Sequence, residues 1–231
     1  KKRIIISIEN IANQYFNDKP TINKIIKSYY KNHIIPFFQD YDFENISRED
    51  ILNPTGWELL SFLMDSRTGL GRFRDFRISN YQLMMDLIDY CHNHDIDDIM
   101  KLDDVKERVE LYFKYAQEFQ DQLKRCSKVY GNLIVLDLRD EEIIYPGNRF
   151  MIYALFPEVN ISIHVLWGVQ KQNTVFATGK SIINRSSKTD IGELMLRYGG
   201  GGHNAAGTCQ IENDKAETIL QELITIITNE G

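Results

Sequence analysis

The residues best suited to chemistry lie near the end of the chain, in Arg197-Tyr198-Gly199-Gly200-Gly201-Gly202-His203-Asn204-Ala205-Ala206-Gly207. Four consecutive glycines strip the β-carbons from a short run of backbone, so its N–H groups can turn toward one point and a bulky group can come close. That is chemistry for holding an anion, and His203 adds a side-chain donor beside it. A bare glycine run is more often a flexible connector. Here it joins an amphipathic segment (Ile191, Leu194, Met195, Tyr198) to an apolar strand-like one over residues 205–211, which favours a built loop.

Two other stretches offer charged groups. Arg67, Arg72, Arg74 and Arg77 gather around Gly69 and Gly71, a composition suited to bidentate phosphate contacts, although a network with acids such as Asp65 and Asp75 is the commoner use of such a cluster. Residues 37–50 hold Asp40, Asp42, Glu44, Glu49 and Asp50, which could take a divalent ion but have no defined ligand spacing. His92 and His94 with Asp95, Asp97 and Asp98 suggest a metal cluster on paper. Histidines two apart cannot share a helix face, so an ordinary Asp-rich loop is expected. His33 reads as a solvated helix end, and His164 as a sheet residue with a hydrogen-bond partner rather than a catalytic group.

RYGGGGHNAAG resembles the glycine-rich motif of the DHH-associated C-terminal domain of the DHH phosphoesterase superfamily, and Ile182-Ile183-Asn184-Arg185-Ser186 resembles the strand end whose Arg-Ser pair faces the same pocket. RTGLGRFRDFRISN is similar to the wording of bacterial exopolyphosphatase-related members. The resemblance runs from about residue 40 to the end. It implies that Arg185, Ser186, Gly200, Gly201, Gly202 and His203 contact a substrate phosphate, with Arg72, Arg74 and Arg77 in second rank. It also implies a cofactor, Mn²⁺ or Mg²⁺, with Asp42 as a metal-binding aspartate and Asp40 as a weaker choice. No His-His dipeptide occurs in the chain, so the family's Asp-His-His triplet is missing. The expectation is that the chain begins partway through a longer protein and that most metal ligands are not in it. No catalytic residue is assigned.

The function implied is hydrolysis of phosphodiester or phosphomonoester bonds of short nucleotides: oligoribonucleotides, phosphoadenosine phosphate, dinucleotides, or polyphosphate. The alternative is a nucleotide-binding module that has lost the metal site. A protein with a mere glycine hinge ranks last, since both phosphate motifs would then be accidents.

The elements that must position these residues follow from periodicity. Residues 1–50 hold about two helices, with Pro20-Thr21 as a start and Pro36 as a stop, and Ser47 caps a helix with Asp50 three residues on. Trp57, Leu60, Phe62, Leu63 and Met64 give a buried helix, and apolar residues three and four apart give helices through residues 81–128, the last over about 104–126. After Gly131 the pattern alternates: strand 132–138, helix 147–156, strands 161–169 and 174–183, a helix 191–198 capped by Asp190, the glycine loop, strand 205–211 and helix 214–228. The fold class expected is α/β: a mostly helical part as the remainder of the DHH domain (1–103), a linker helix (104–128), and a mixed α/β sheet domain with the glycine-rich phosphate loop (129–231).

With 43% hydrophobic and 26% charged residues, the 231-residue chain has the composition of a globular protein with a sizeable core. A net charge of −6 argues against coating long duplex nucleic acid, while a short anion can be gripped by a local arrangement. No run is apolar enough for a membrane span and the first residues do not form a signal peptide, so the expected location is cytoplasmic. Cys91, Cys126 and Cys209 read as half-buried thiols. A homodimer is compatible with the sequence.

Overall fold

The computed structural model describes residues 46–231. The helices expected before residue 46, His33, Asp40, Asp42 and Glu44 lie outside the described residues. The chain divides into two compact units; Ser47–Arg77 and Asp103–Gly231 make one, and Ile46 with Ile78–Leu102 are the described residues of the other.

The first unit opens with α1 (Arg48–Leu52), held by a capping box. The Ser47 hydroxyl accepts the Asp50 N–H, and the Asp50 carboxylate accepts the Ser47 N–H. Next, α2 (Gly56–Met64) buries Leu59, Leu60, Phe62 and Leu63, and two short 3₁₀ turns carry the chain through the arginine-rich stretch.

The second unit contains α3 (Asn80–Asn93), capped by Ser79, and α4 (Ile96–Ile99), capped by Asp95. His92 therefore sits on a helix, and His94 stacks on Tyr90 with centroids 3.8 Å apart. The expected loop is in part a helix, because Asp97 and Asp98 fall in a first turn whose free N–H groups favour acids.

Back in the first unit, the single helix expected over 104–126 is two, α5 (Asp103–Lys114) and α6 (Ala116–Cys126). Tyr115, at φ −108° and ψ 10°, breaks the run, and its ring packs on Phe73 (4.9 Å) and Tyr145 (5.7 Å). The aromatic cluster draws the backbone out of helical geometry where the apolar spacing alone continues. The strand β1 (Ser127–Tyr130) was not expected. It is short and polar, pairs antiparallel with β2 (Leu133–Asp137), and follows the helix directly.

The chain then passes through α7 (Met151–Leu155) to β3 (Ile161–Trp167), which is parallel to β2, and on to β4 (Thr174–Lys180). Next come α8 (Ile191–Arg197), β5 (Gly201–His203), β6 (Ala206–Ile211) and α9 (Ala216–Glu230). The strands form a mixed sheet in the order β1-β2-β3-β4-β6-β5. This is the mixed α/β architecture expected of the C-terminal part.

Strand alternation sorts the side chains onto two faces. One face carries Ile161, Ile163, Val165, Phe176, Cys209 and Ile211 against α8 (Ile191, Leu194, Met195) and α9 (Leu220, Leu223, Ile224, Ile227) in a single core. Cys209 is fully buried there rather than half-buried, while Cys91 and Cys126 are half-buried as expected. The opposite face presents Ser162, His164, Val175, Ala177, Gly179, Ala206, Thr208, Gly201 and His203. No helix among the described residues is long and apolar enough to cross a membrane.

Candidate functional site

The glycine run is not a free loop. Gly199 lies at φ +74° just past α8, its N–H bonding to Leu196 O (3.1 Å), and the Gly200 N–H reaches back to Met195 O (3.0 Å). This is a Schellman closure, which needs a residue tolerant of the left-handed region, as glycine is. The Gly200 N–H is thereby used by the helix and is not offered to a ligand. Gly201, Gly202 and His203 continue as the edge strand β5, paired with Thr208, Gly207 and Ala206. The expectation that successive N–H groups converge on one point therefore gives way to a helix cap followed by an edge strand. The lack of side chains serves close packing: a β-carbon on Gly200 would lie 2.0 Å from Thr208 O and one on Gly202 2.3 Å from Ala206 O, and one on Gly192 of α8 would lie 2.9 Å from Gly202 C.

His203 is exposed at the turn between β5 and β6. Its Nδ1 accepts the Ala205 N–H at 3.2 Å, so the neutral ring carries its proton on Nε2, a donor pointing away from the turn. The next residue, Asn204, holds the turn in place. Its Nδ2 donates to Asp190 Oδ2 (3.0 Å), its Oδ1 accepts from Lys180 Nζ (3.1 Å), and its carbonyl accepts the Ile191 N–H (3.2 Å). Asp190 also caps α8 through the Glu193 N–H (3.0 Å), and that bond, with the Asn204 amide, holds its carboxyl below the usual carboxylate range.

Arg185 and Ser186 occupy the segment between β4 and α8. Arg185 is exposed, with Nε donating to Ile182 O (2.9 Å). Ser186 Oγ donates to Asn184 Oδ1 (2.7 Å) and accepts from Asn160 Nδ2 (2.9 Å), which fixes it beside the start of β3. Lys180, the last residue of β4, connects the two motifs. Its Nζ reaches Ser187 O (3.3 Å) as well as Asn204, and its N–H bonds to Ala205 O (2.9 Å). The Arg185-Ser186 segment and the His203 turn therefore stand at one end of the sheet, held by a shared lysine. Lys180, Asn204 and Asn160 were not singled out in the sequence. The only signal was a lysine closing the alternating run Thr174–Lys180.

The second-rank arginines behave differently. Arg74 pairs with Glu107 (3.1 Å) and Arg77 with Asp104, and the fully buried Arg108 donates to Glu107 (3.1 Å) and lies 4.1 Å from the Phe76 ring centroid. These partners come from α5 rather than from Asp75, and the acids of that helix occupy both guanidinium groups. Arg72 stands apart from them and donates to Ile144 O at 3.4 Å. Arg67 and Arg149 both bond to Asp65, at 2.7 and 3.2 Å. His164 has no hydrogen bond from its ring among the described residues, unlike the expectation. Burial and the neighbouring Arg149 charge push it down to about 4, so it is neutral at pH 7.

Among the described residues, no three His, Cys, Asp or Glu side chains lie close enough to hold a metal ion. Asp42 is outside them. The described residues do not fit a divalent-ion centre; what they bring together at one end of the sheet are Lys180, Arg185, Ser186 and His203.

No family model matches the chain. The chain is 53% identical to the solved structure of a pGpG-specific phosphodiesterase, PggH, from Vibrio cholerae, covering 96% of this chain and 72% of that one, with a TM-score of 0.76. The DHH domain of a member of the s1p family of ribosomal proteins is 14% identical over 74% of this chain and 42% of its own, with a TM-score of 0.45. A curated A-adding tRNA nucleotidyltransferase from Aquifex aeolicus is 33% identical over 111 residues, which is 45% of this chain and 13% of that protein's length. The likeness to the Vibrio phosphodiesterase extends over nearly all of the chain, and the chain belongs to the DHH superfamily of phosphoesterases.

Proposed function

We propose that this chain acts on short 5′-phosphorylated dinucleotides, pGpG foremost, as a phosphodiesterase, and that residues 129–231 hold the phosphate end of the substrate. The observation that carries the reading is the 53% identity, over 96% of the chain, to a protein described as a pGpG-specific phosphodiesterase. The geometry at the end of the sheet supports it, because the Lys180–Asn204 framework brings the Arg185-Ser186 segment and the Nε2–H of His203 to one end of the sheet.

In this reading the terminal phosphate sits against His203 and the Arg185-Ser186 segment. Charge-assisted hydrogen bonds to a phosphate are roughly twice as strong as neutral ones, and they fix the register of the bond to be cut. Water adds at phosphorus, the bond from phosphorus to O3′ breaks, the proton goes to O3′, and two guanosine 5′-monophosphates leave. A divalent ion, Mn²⁺ or Mg²⁺, is the cofactor we infer from the family resemblance; its ligands are not supplied by the described residues.

The test is incubation of the chain with pGpG and Mn²⁺, with guanosine monophosphate measured by chromatography, for the unchanged protein and for His203→Ala. Losing one hydrogen bond to a charged group costs about 1.5–3 kcal/mol, so kcat/KM should fall about 10- to 150-fold. Equal turnover by the variant would remove His203 from the site. Binding of pGpG without any release of monophosphate would favour the non-catalytic binding module.

A further inference from the structure

The face of the sheet that carries His203 has a second polar end. Across the strands, His203 pairs with Ala206, Ala206 with Gly179, and Gly179 with Ser162, and one step along lie Thr208, Ala177 and His164. Between β5 and β3 the side chains are therefore mostly small, Ala206, Gly179 and Ala177, with Thr208 beside them. Three strand spacings of about 4.8 Å make this floor about 14 Å wide. At its far side Tyr153 donates its hydroxyl to Gly179 O (2.7 Å) and also meets Ser162 Oγ (2.7 Å), which closes the floor with a ring edge.

Arg149 stands beside this edge. Its side chain is 33% exposed, its Nε bonds to Asp65 (3.2 Å), and its guanidinium carbon lies 4.1 Å from the Phe150 ring centroid. Its two terminal nitrogens have no hydrogen-bond partner among the described residues and are not sealed from water. Burial lowers its affinity for its proton. It stands four residues before Tyr153, at the turn that opens α7 through the Met151 N–H to Asn148 O bond (2.9 Å). The neighbouring Asn148 is 2% exposed, and its Nδ2 is buried without a partner. A guanidinium oriented by a carboxylate and a ring, with its outer fork unsatisfied, matches a ligand edge bearing two adjacent acceptors.

We propose that Arg149 is a specificity-determining residue that reads the O6 and N7 edge of a guanine lying on the Ala206–Gly179–Ala177 floor, with the phosphate end of the same ligand at His203. The inference rests on the dinucleotide reading above and adds where the base is read. A flat base suits a floor of small side chains flanked by Thr208. Arg67 shares Asp65 with Arg149, so the group keeps a net positive charge, which the acceptor-rich O6 and N7 edge of guanine suits. His164, neutral beside it, adds no competing cation.

The test measures affinity on the full chain, with a chelator present to prevent turnover. Fluorescently labelled pGpG and pApA are titrated against the unchanged protein, Arg149→Lys and His203→Ala. Lysine keeps the charge for Asp65 but removes the fork, so pGpG binding should weaken about 5- to 100-fold while pApA changes less than about twofold. A pGpG analogue with 7-deazaguanine, titrated against the unchanged protein, should bind about tenfold more weakly than pGpG, whatever the variant's folding. Equal losses for pGpG and pApA in Arg149→Lys, or equal binding of the deaza analogue, would overturn the assignment. If His203→Ala weakens both dinucleotides alike while the Arg149 tests fail, the phosphate reading stands without it. If the unchanged protein binds neither ligand, both readings fall.

Discussion

Replacing Gly192 with alanine separates a built site from a flexible glycine hinge. Gly192 is the second residue of α8, where alanine favours the helix by about 1 kcal/mol over glycine. In the fold, however, the new β-carbon would lie 2.9 Å from Gly202 C, 3.0 Å from Gly202 O and 3.0 Å from His203 C. All three are backbone atoms, so no side-chain rotation relieves the contact. Carbon atoms settle near 3.5–4.0 Å, so α8 and β5 must separate by at least about 0.5 Å. Overpacking of this kind costs about 1–3 kcal/mol, which meets or exceeds the helix gain. The net stability change is therefore a loss of about 0–2 kcal/mol, measured by urea unfolding.

The larger effect falls on His203, which is moved along with its strand. A misplacement of about 1 Å can cost 10²-fold in a positioned reaction, so half of that should weaken pGpG turnover on the order of tenfold. If Gly192→Ala raises stability by about 1 kcal/mol and leaves turnover unchanged, the helix does not press on the glycine strand and the reasoning is wrong.

Other perturbations have definite signs. His164 is held neutral, its pKa about 4 in the fold against an ordinary 6.5. The unfolded chain therefore takes up the proton first: this contribution is complete above pH 6.5 and is lost as pH falls toward 4, by about 2 kcal/mol between pH 6.5 and 5. Urea unfolding of the unchanged protein and of His164→Gln at pH 7 and pH 5 should show the variant losing less; parallel losses would place the pH sensitivity elsewhere. Lys180→Met removes the link from Asn204 to Ser187 O and should raise KM for pGpG several-fold with a smaller change in kcat, while Lys180→Arg should restore part of it. An unchanged KM in Lys180→Met would refute the bridging role.

The sequence showed the α/β alternation after Gly131 because each strand and helix carries its own period, as Ile161–Trp167 and Ala216–Glu230 do. It also pointed to the Arg185-Ser186 and Gly-Gly-Gly-Gly-His segments, local strings that the fold brings to one end of the sheet. What it did not show depends on contacts between distant residues. The break at Tyr115 comes from Phe73 and Tyr145, and β1 is held by its pairing with β2. The glycines read as one loop because their composition is uniform, yet a helix end at Tyr198 and a strand partner at Ala206–Ile211 divide them between two jobs. Arg74 and Arg77 looked available because Asp104 and Glu107 lie some thirty residues further on, within reach only after α5 folds back. Lys180 has no motif of its own, and its role emerges only where Ser187 and Asn204 meet its ammonium group.

The most direct test of the central claim compares pGpG with GpG, which lacks the 5′-phosphate, as substrates of the unchanged chain in one Mn²⁺-containing assay. If the sheet end of Lys180, Arg185, Ser186 and His203 anchors the terminal phosphate, kcat/KM for pGpG should exceed that for GpG by at least about 10-fold, the worth of a single charge-assisted hydrogen bond. Equal rates on the two dinucleotides would contradict the account.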